Sequence, residues 1–166
     1  ALNTILYFVL GIFYTIVFCI VLKFFNRKEK EEVRTTTFWL ISVFLIKIAA
    51  GFIYGYLYSH YYTTSDSWDY FNDSLIEYNN LFHQPAAFFS IGTDKGSLTQ
   101  LFSTANNAFW NNAGCNMVIK FFAILDVFSF GNYYVSCILF NIFSFVGLYL
   151  IYETTTLQLK KNRCII

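Results

Sequence analysis

Two stretches of this chain, Thr4–Leu22 and Phe38–Tyr58, are apolar over the length of a bilayer crossing. A hydrocarbon core of about 30 Å is spanned by roughly 20 helical residues. Inside it, backbone polar groups are satisfied only within a helix or a closed barrel. The first stretch is uncharged and ends at Lys23, and the second carries a single charge, Lys47. Composition points the same way: 57% of residues are hydrophobic and 13% charged, against about 25% charged in soluble domains. A third apolar stretch, Met117–Tyr152, is too long for one span and is interrupted at Gly131-Asn132. Its second half, Tyr133–Tyr152, is uncharged and of spanning length. Its first half, Met117–Phe130, holds Lys120 and Asp126 and reaches only about 21 Å as a helix. That half reads as an interfacial or re-entrant helix over 117–131. The expected fold is an all-α integral membrane protein, a single membrane unit without internal repeats. About three transmembrane helices, near 4–23, 38–59 and 132–152, are joined by loops, one of which carries amphipathic surface helices.

The first stretch has no basic residue before it and no small-x-small site after it, so it reads as a spanning helix and not as a cleaved signal. Orientation follows from the basic residues, which accumulate on the cytoplasmic side. Arg27, Lys28, Lys30 and Arg34 lie in the loop 24–37, and Lys160, Lys161 and Arg163 lie in the tail 153–166. The long connection 60–116 has one cation, Lys95, against Asp66, Asp69, Asp73, Glu77 and Asp94. Three spans place the short loop and the tail in the cytoplasm, with the N-terminus and the acidic loop outside. A fourth span over Met117–Phe130 would carry the basic tail outside.

The acidic loop has its own periodicity. A helix is expected from Ser65 or Asp66 to about Phe82. Asp66, Asp69, Asp73 and Glu77 then share one face, while Trp68, Phe71, Leu75, Tyr78 and Phe82 share the other. Such a helix is expected on the membrane surface with its aromatic side down. Pro85 ends it. Ala86–Ile91 reads as a short second surface helix, 92–96 as an exposed turn, Leu98–Trp110 as a further helix, and Asn111-Asn112-Ala113-Gly114 as an Asn-rich turn.

Lys47 is the most expensive residue in the chain, since an exposed Lys at mid-bilayer costs about 2.5–3.5 kcal/mol on insertion scales. It requires protein, water or an anion beside it. An ion pair with Asp126 or with a carboxylate of another chain satisfies this requirement, and so does a proton or phosphate contact. Asp66 and Asp69, three apart at a helix start, can face one object. Carboxylates so placed hold a divalent cation, or one of them accepts a proton from a hydroxyl. They also suit the positive end of the helix dipole with no chemistry at all. Tyr54, Tyr56, Tyr58, Tyr61 and Tyr62 crowd the outer end of the second span as an aromatic belt would. Gly51 and Gly55, four apart, allow close helix packing.

Several function classes are excluded. Cys19, Cys115, Cys137 and Cys164 form no C-x-x-C or haem-attachment pattern, and His60 and His83 both fall outside the spans. No haem or iron–sulfur ligand set is therefore expected in this chain. The basic cluster is interleaved with Glu29, Glu31 and Glu32 beside the bilayer, so nucleic acid is not an expected partner.

One resemblance adds to this reading. Lys47-Ile48-Ala49-Ala50-Gly51, followed by Tyr61-Tyr62-Thr63-Thr64-Ser65-Asp66-Ser67-Trp68-Asp69-Tyr70, resembles the N-terminal part of GT-C glycosyltransferases of the Bacteroidetes type. Those enzymes use lipid-phosphate-linked sugars, and the similar stretch runs from about Phe38 to Tyr152. The resemblance implies a general-base role for Asp66 on an acceptor hydroxyl. It also implies Asp69 as a second carboxylate, a divalent metal nearby, a polyprenyl-phosphate sugar as substrate, and a place in a bacterial inner membrane with the acidic loop in the periplasm. Such enzymes usually have eight or more spans, and here an additional helix, Thr4–Leu22, precedes the matching span. The chain is thus expected to be an entry module that does not catalyse alone. The alternative is a small non-catalytic accessory subunit of a respiratory, transport or secretion complex, with other membrane subunits as partners.

Overall fold

The computed structural model describes residues 2–28, 37–62, 66–89 and 107–163. Among these it holds only helices and turns: α1 (Leu2–Lys28), α2 (Thr37–His60), α3 (Asp66–His83), α4 (Pro85–Phe88), α5 (Asn107–Ser129) and α6 (Tyr133–Arg163). Three of them are long and apolar enough to cross a membrane, over Asn3–Arg27, Thr37–His60 and Tyr133–Leu159. The protein is an all-α, polytopic membrane protein. Its residues group into two compact units, Ala1–Tyr54 with Cys137–Ile166, and Gly55–Ser136. Helices α2 and α6 each run through both.

Unit 1 is built on aromatic packing. Phe18, Leu22, Phe44, Ile48, Ile138 and Phe145 form its buried cluster. The rings of Phe18 and Phe44 lie 4.6 Å apart, and Phe145 meets Phe44 edge-on at 5.4 Å. Gly51 lets α2 and α6 approach, because a Cβ there would lie 2.8 Å from Cys137 Sγ and 3.0 Å from Asn141 Nδ2. Near the end of α1, the buried Asn26 donates from Nδ2 to Thr37 Oγ1 at 2.8 Å, tying α1 to α2. The outer faces carry large apolar side chains such as Phe8, 70% exposed, and Ile46, 67% exposed. That distribution is costly in water and suited to lipid.

Helix α1 runs to Lys28, into the expected loop 24–37, and helix lengths depart from expectation at two further places. Helix α6 continues some ten residues past the expected span. The extension 153–163 has no Gly or Pro, and the hydroxyls of Thr154, Thr155 and Thr156 donate back to the carbonyls of Leu150, Ile151 and Tyr152. Helix α5 begins at Asn107, so the expected Asn-rich turn at 111–114 is helical, and the helix expected over 117–131 starts ten residues earlier and ends at Ser129. Asn and Gly are only weakly unfavourable inside a helix, and tertiary packing overrides such preferences; here α5 packs along α3. The expected turn at 92–96, Ser65 as a cap, and most of the expected helix at 98–110 lie outside the described residues.

In unit 2 the chain reverses between α5 and α6 at Phe130 (φ 53°) and Gly131 (φ 69°). Gly131 N–H donates to the Asp126 carbonyl at 3.3 Å, the long-range bond of a Schellman ending. Asn132 then caps α6, its Oδ1 accepting from Val135 N–H at 3.1 Å, as an N-cap side chain does.

Candidate functional site

The site begins with how α3 is held. The Trp68 indole N–H donates to the Gly55 carbonyl at 3.0 Å. Its ring stacks on Tyr133 at 3.8 Å, nearly parallel. The buried Phe71 meets both rings edge-on. Gly55 is what makes room, since a Cβ there would lie 2.5 Å from the Tyr133 ring. These contacts fix the start of α3 against the last turns of α2 and the first turn of α6.

Asp66 and Asp69 project from this clamped helix start, and both are exposed. Their i, i+3 spacing puts them on one face, where the helix dipole favours negative charge. Tyr70 is their neighbour on α3, and its hydroxyl lies 3.3 Å from Cys115 Sγ on α5. Its ionisation is pushed above the usual tyrosine range, first by the Cys115 hydrogen bond and charge and, more weakly, by Asp66. His83, at the far end of the helix, bonds back to the Asn79 carbonyl through Nδ1.

The expected separation of faces is modified. Trp68, Phe71 and Leu75 pack against this chain's own Tyr133 and Gly131, while Phe82 stays 61% exposed. Much of the aromatic side is thus spent on internal packing, where the sequence pattern places it on the membrane surface. The acidic face is not wholly solvated either. Asp73 is exposed, but Glu77 is half-buried, and among the described residues its Oε2 is buried without a hydrogen-bond partner.

Asp126, expected to meet Lys47 or a partner chain, is completely buried and accepts serine hydroxyls from three helices. Ser74 Oγ of α3 donates to Oδ2 at 2.7 Å. Ser136 Oγ of α6 donates to Oδ1 at 2.6 Å, and Ser129 Oγ of α5 lies 3.2 Å from the same oxygen. Ser74 also contacts the Phe71 carbonyl at 2.7 Å, and Ser136 contacts Ser129 at 2.6 Å. A buried carboxyl is tolerated when its oxygens are bonded in this way, and the arrangement pins α3, α5 and α6 together. Sequence reading did not single out Ser74, Ser129 or Ser136. The available signal was Asp126 itself, because an acid inside an apolar helix requires donors close by.

Asp66 and Asp69 are brought together on one helix turn, and Asp126 lies in the same unit. Lys47 belongs to unit 1, half-buried on α2. Among the described residues no group of three or more His, Cys, Asp or Glu side chains could hold a metal ion. Asp66 and Asp69 offer two carboxylates, fewer oxygens than a divalent cation takes, so phosphate or water oxygens would have to complete the shell.

Comparison with known proteins gave no match: no family model, no curated protein and no solved structure is similar to this chain.

Proposed function

We propose that this protein is the entry module of a GT-C-like membrane glycosyltransferase, presenting Asp66 to the hydroxyl of an acceptor at the outer membrane surface. The observation that supports this reading is the exposed Asp66/Asp69 pair at the start of α3, held by Trp68 against Gly55 in the last turns of the second span. In this role Asp66 accepts the hydroxyl proton as the acceptor oxygen attacks the sugar carbon, and the lipid-linked phosphate leaves with the bonding electrons. Asp69 orients the acceptor or joins the lipid phosphate in holding a divalent cation, which would offset the charge building on the leaving group. Three spans do not enclose a polyprenyl tail, so the reaction requires further membrane helices around this module. In this reading the module lies in a bacterial inner membrane, and the distribution of basic residues supports a periplasmic N-terminus and a cytoplasmic tail. The test is Asp66→Asn in the intact cell, assayed for transfer from a radiolabelled polyprenyl-phosphate sugar. Loss of transfer with normal membrane levels is the expected result; unchanged transfer removes the reading.

A second reading, an accessory subunit of a larger membrane complex, is favoured by Lys47. A half-buried ammonium in the middle of a span calls for a neighbour. Extraction in mild detergent tests it, because a lone monomer counts against subunit status, and transfer lost in Asp66→Asn separates it from the first reading.

A further inference from the structure

Helix α5 is polar on its packed side and apolar on its open side. Ala123, Leu125, Asp126 and Ser129 are buried, and the last two belong to the network that joins α5 to α3 and α6. On the other side Met117 is 69% exposed, Ile124 45% and Phe128 53%, with the half-buried Phe121 among them. At 3.6 residues per turn these four fall within about 60° of one another, facing away from Asp126, in a stripe about 17 Å long. A surface helix in water sorts its residues the other way. Polar groups turned inward and large apolar side chains turned outward suit a helix that meets lipid.

An exposed apolar patch marks a contact surface, and the chain itself says what meets this one. Unit 2 begins within one candidate span, Thr37–His60, and ends within another, Tyr133–Leu159. Both ends of the unit are therefore tethered to the bilayer, and lipid is the apolar phase within reach. Helix α3 is poorly suited to that contact. Its Trp68 and Phe71 are spent on Tyr133, and its exposed residues include Asp66, Asp69 and Asp73, which hydrocarbon would not tolerate. The same acids set the tilt of α5. Helix α3 meets α5 at both Cys115 and Asp126, so carrying α5 across the membrane would drag the acids into it.

We propose that α5, and not the aromatic side of α3, is the element through which unit 2 enters the bilayer, with the stripe of Met117, Phe121, Ile124 and Phe128 lying along the surface in the outer edge of the hydrocarbon. The occupant of this face is lipid acyl chain. This inference does not depend on any chemistry at Asp66.

The test uses the full chain in phosphatidylcholine vesicles, freed of its native cysteines and carrying one nitroxide on Met117→Cys, Ile124→Cys, Phe128→Cys or, as the aqueous reference, Asp73→Cys. Collisions are measured with oxygen, which concentrates in lipid, and with a water-soluble nickel chelate. For an apolar face buried about 5–10 Å into the headgroup and acyl boundary, the oxygen-to-nickel ratio at all three stripe positions should exceed that at Asp73 by about tenfold. Ratios at the three positions should also be alike. Nickel-dominated collisions at the stripe overturn the proposal and put that face in water. Collisions with neither reagent overturn it in favour of a protein contact, such as a second copy of the chain. A ratio that changes steadily from Met117 to Phe128 overturns it in favour of a crossing helix. A second measurement needs no substitution: a phosphatidylcholine with a photoactivatable acyl chain should label residues 117–128 of the unaltered chain and spare 66–73. Labelling of 66–73 without 117–128 overturns the proposal.

Discussion

Replacing Ser74 by Ala isolates the contribution of the Asp126 node. The hydroxyl of Ser74 is the one hydrogen-bond partner shown for Asp126 Oδ2, at 2.7 Å, in a residue pair without solvent exposure. Its loss strands a buried carboxyl oxygen, at a cost of about 1–3 kcal/mol. A loss of 2 kcal/mol changes the folded-to-unfolded ratio about thirtyfold. Ser136→Ala removes two contacts of 2.6 Å, but Oδ1 retains Ser129, so its effect should be no larger. Ser129→Ala, at 3.2 Å, should be the mildest. Combining Ser74→Ala with Asp126→Leu removes acceptor and donor together, which costs less than leaving one of them unpaired. The double variant should therefore be less destabilised than the two single effects added. Reversible unfolding in mixed micelles, followed by circular dichroism, gives all the terms of the cycle. Strict additivity, or a Ser74→Ala effect within about 0.3 kcal/mol of zero, would refute the claim that this network ties α3 to α5.

Three further expectations follow from single contacts. Gly51→Val drives a branched side chain into Cys137 and Asn141 and should destabilise unit 1 by about 1–3 kcal/mol, seen as a lowered midpoint in the same unfolding assay. Trp68→Phe keeps a ring against Tyr133 but loses the donor to Gly55, about 1 kcal/mol, and should speed hydrogen exchange in the first turns of α3. Cys115→Ala removes the main cause of the raised Tyr70 ionisation, so tyrosinate absorbance should appear at lower pH. By linkage, the stability that protonated Tyr70 contributes is present below its unfolded value and is lost as pH rises through the raised one. Cys115→Ala should weaken that alkaline dependence, leaving the smaller part due to burial and Asp66.

The spans and the acidic helix were legible in the sequence because their signals are local. Apolar length gives α1 and α2 directly. The alternation of Asp66, Asp69 and Asp73 with Trp68, Phe71 and Leu75 gives α3, which ends at His83 just before Gln84-Pro85. What stayed hidden depends on partners distant in the chain. The Ser74–Asp126 pair is separated by 52 residues and Tyr70–Cys115 by 45; neither serine nor tyrosine carries a pattern that announces such a contact. Helix α5 hid its start for a related reason. Its Asn-rich opening has the composition of a turn, and helix formation there goes with packing along α3. The close approach at Gly51 was visible only as a permissive spacing, and its neighbours Cys137 and Asn141 come from the other end of the chain. Asp66 and Asp69 were legible as a pair, but the clamp that positions them, Trp68 on Gly55 and Tyr133, required the fold.

The central claim is that opposite charges are sorted to opposite faces of the membrane, with Arg27 on one side and Asp66 on the other. Both side chains are exposed, so single-cysteine variants Arg27→Cys and Asp66→Cys, in a background freed of the four native cysteines, can be labelled from either side of sealed spheroplasts with a membrane-impermeant thiol reagent. The account predicts that Asp66→Cys reacts from outside in intact spheroplasts and that Arg27→Cys reacts only after permeabilisation. Reaction of both positions from the same side would contradict it.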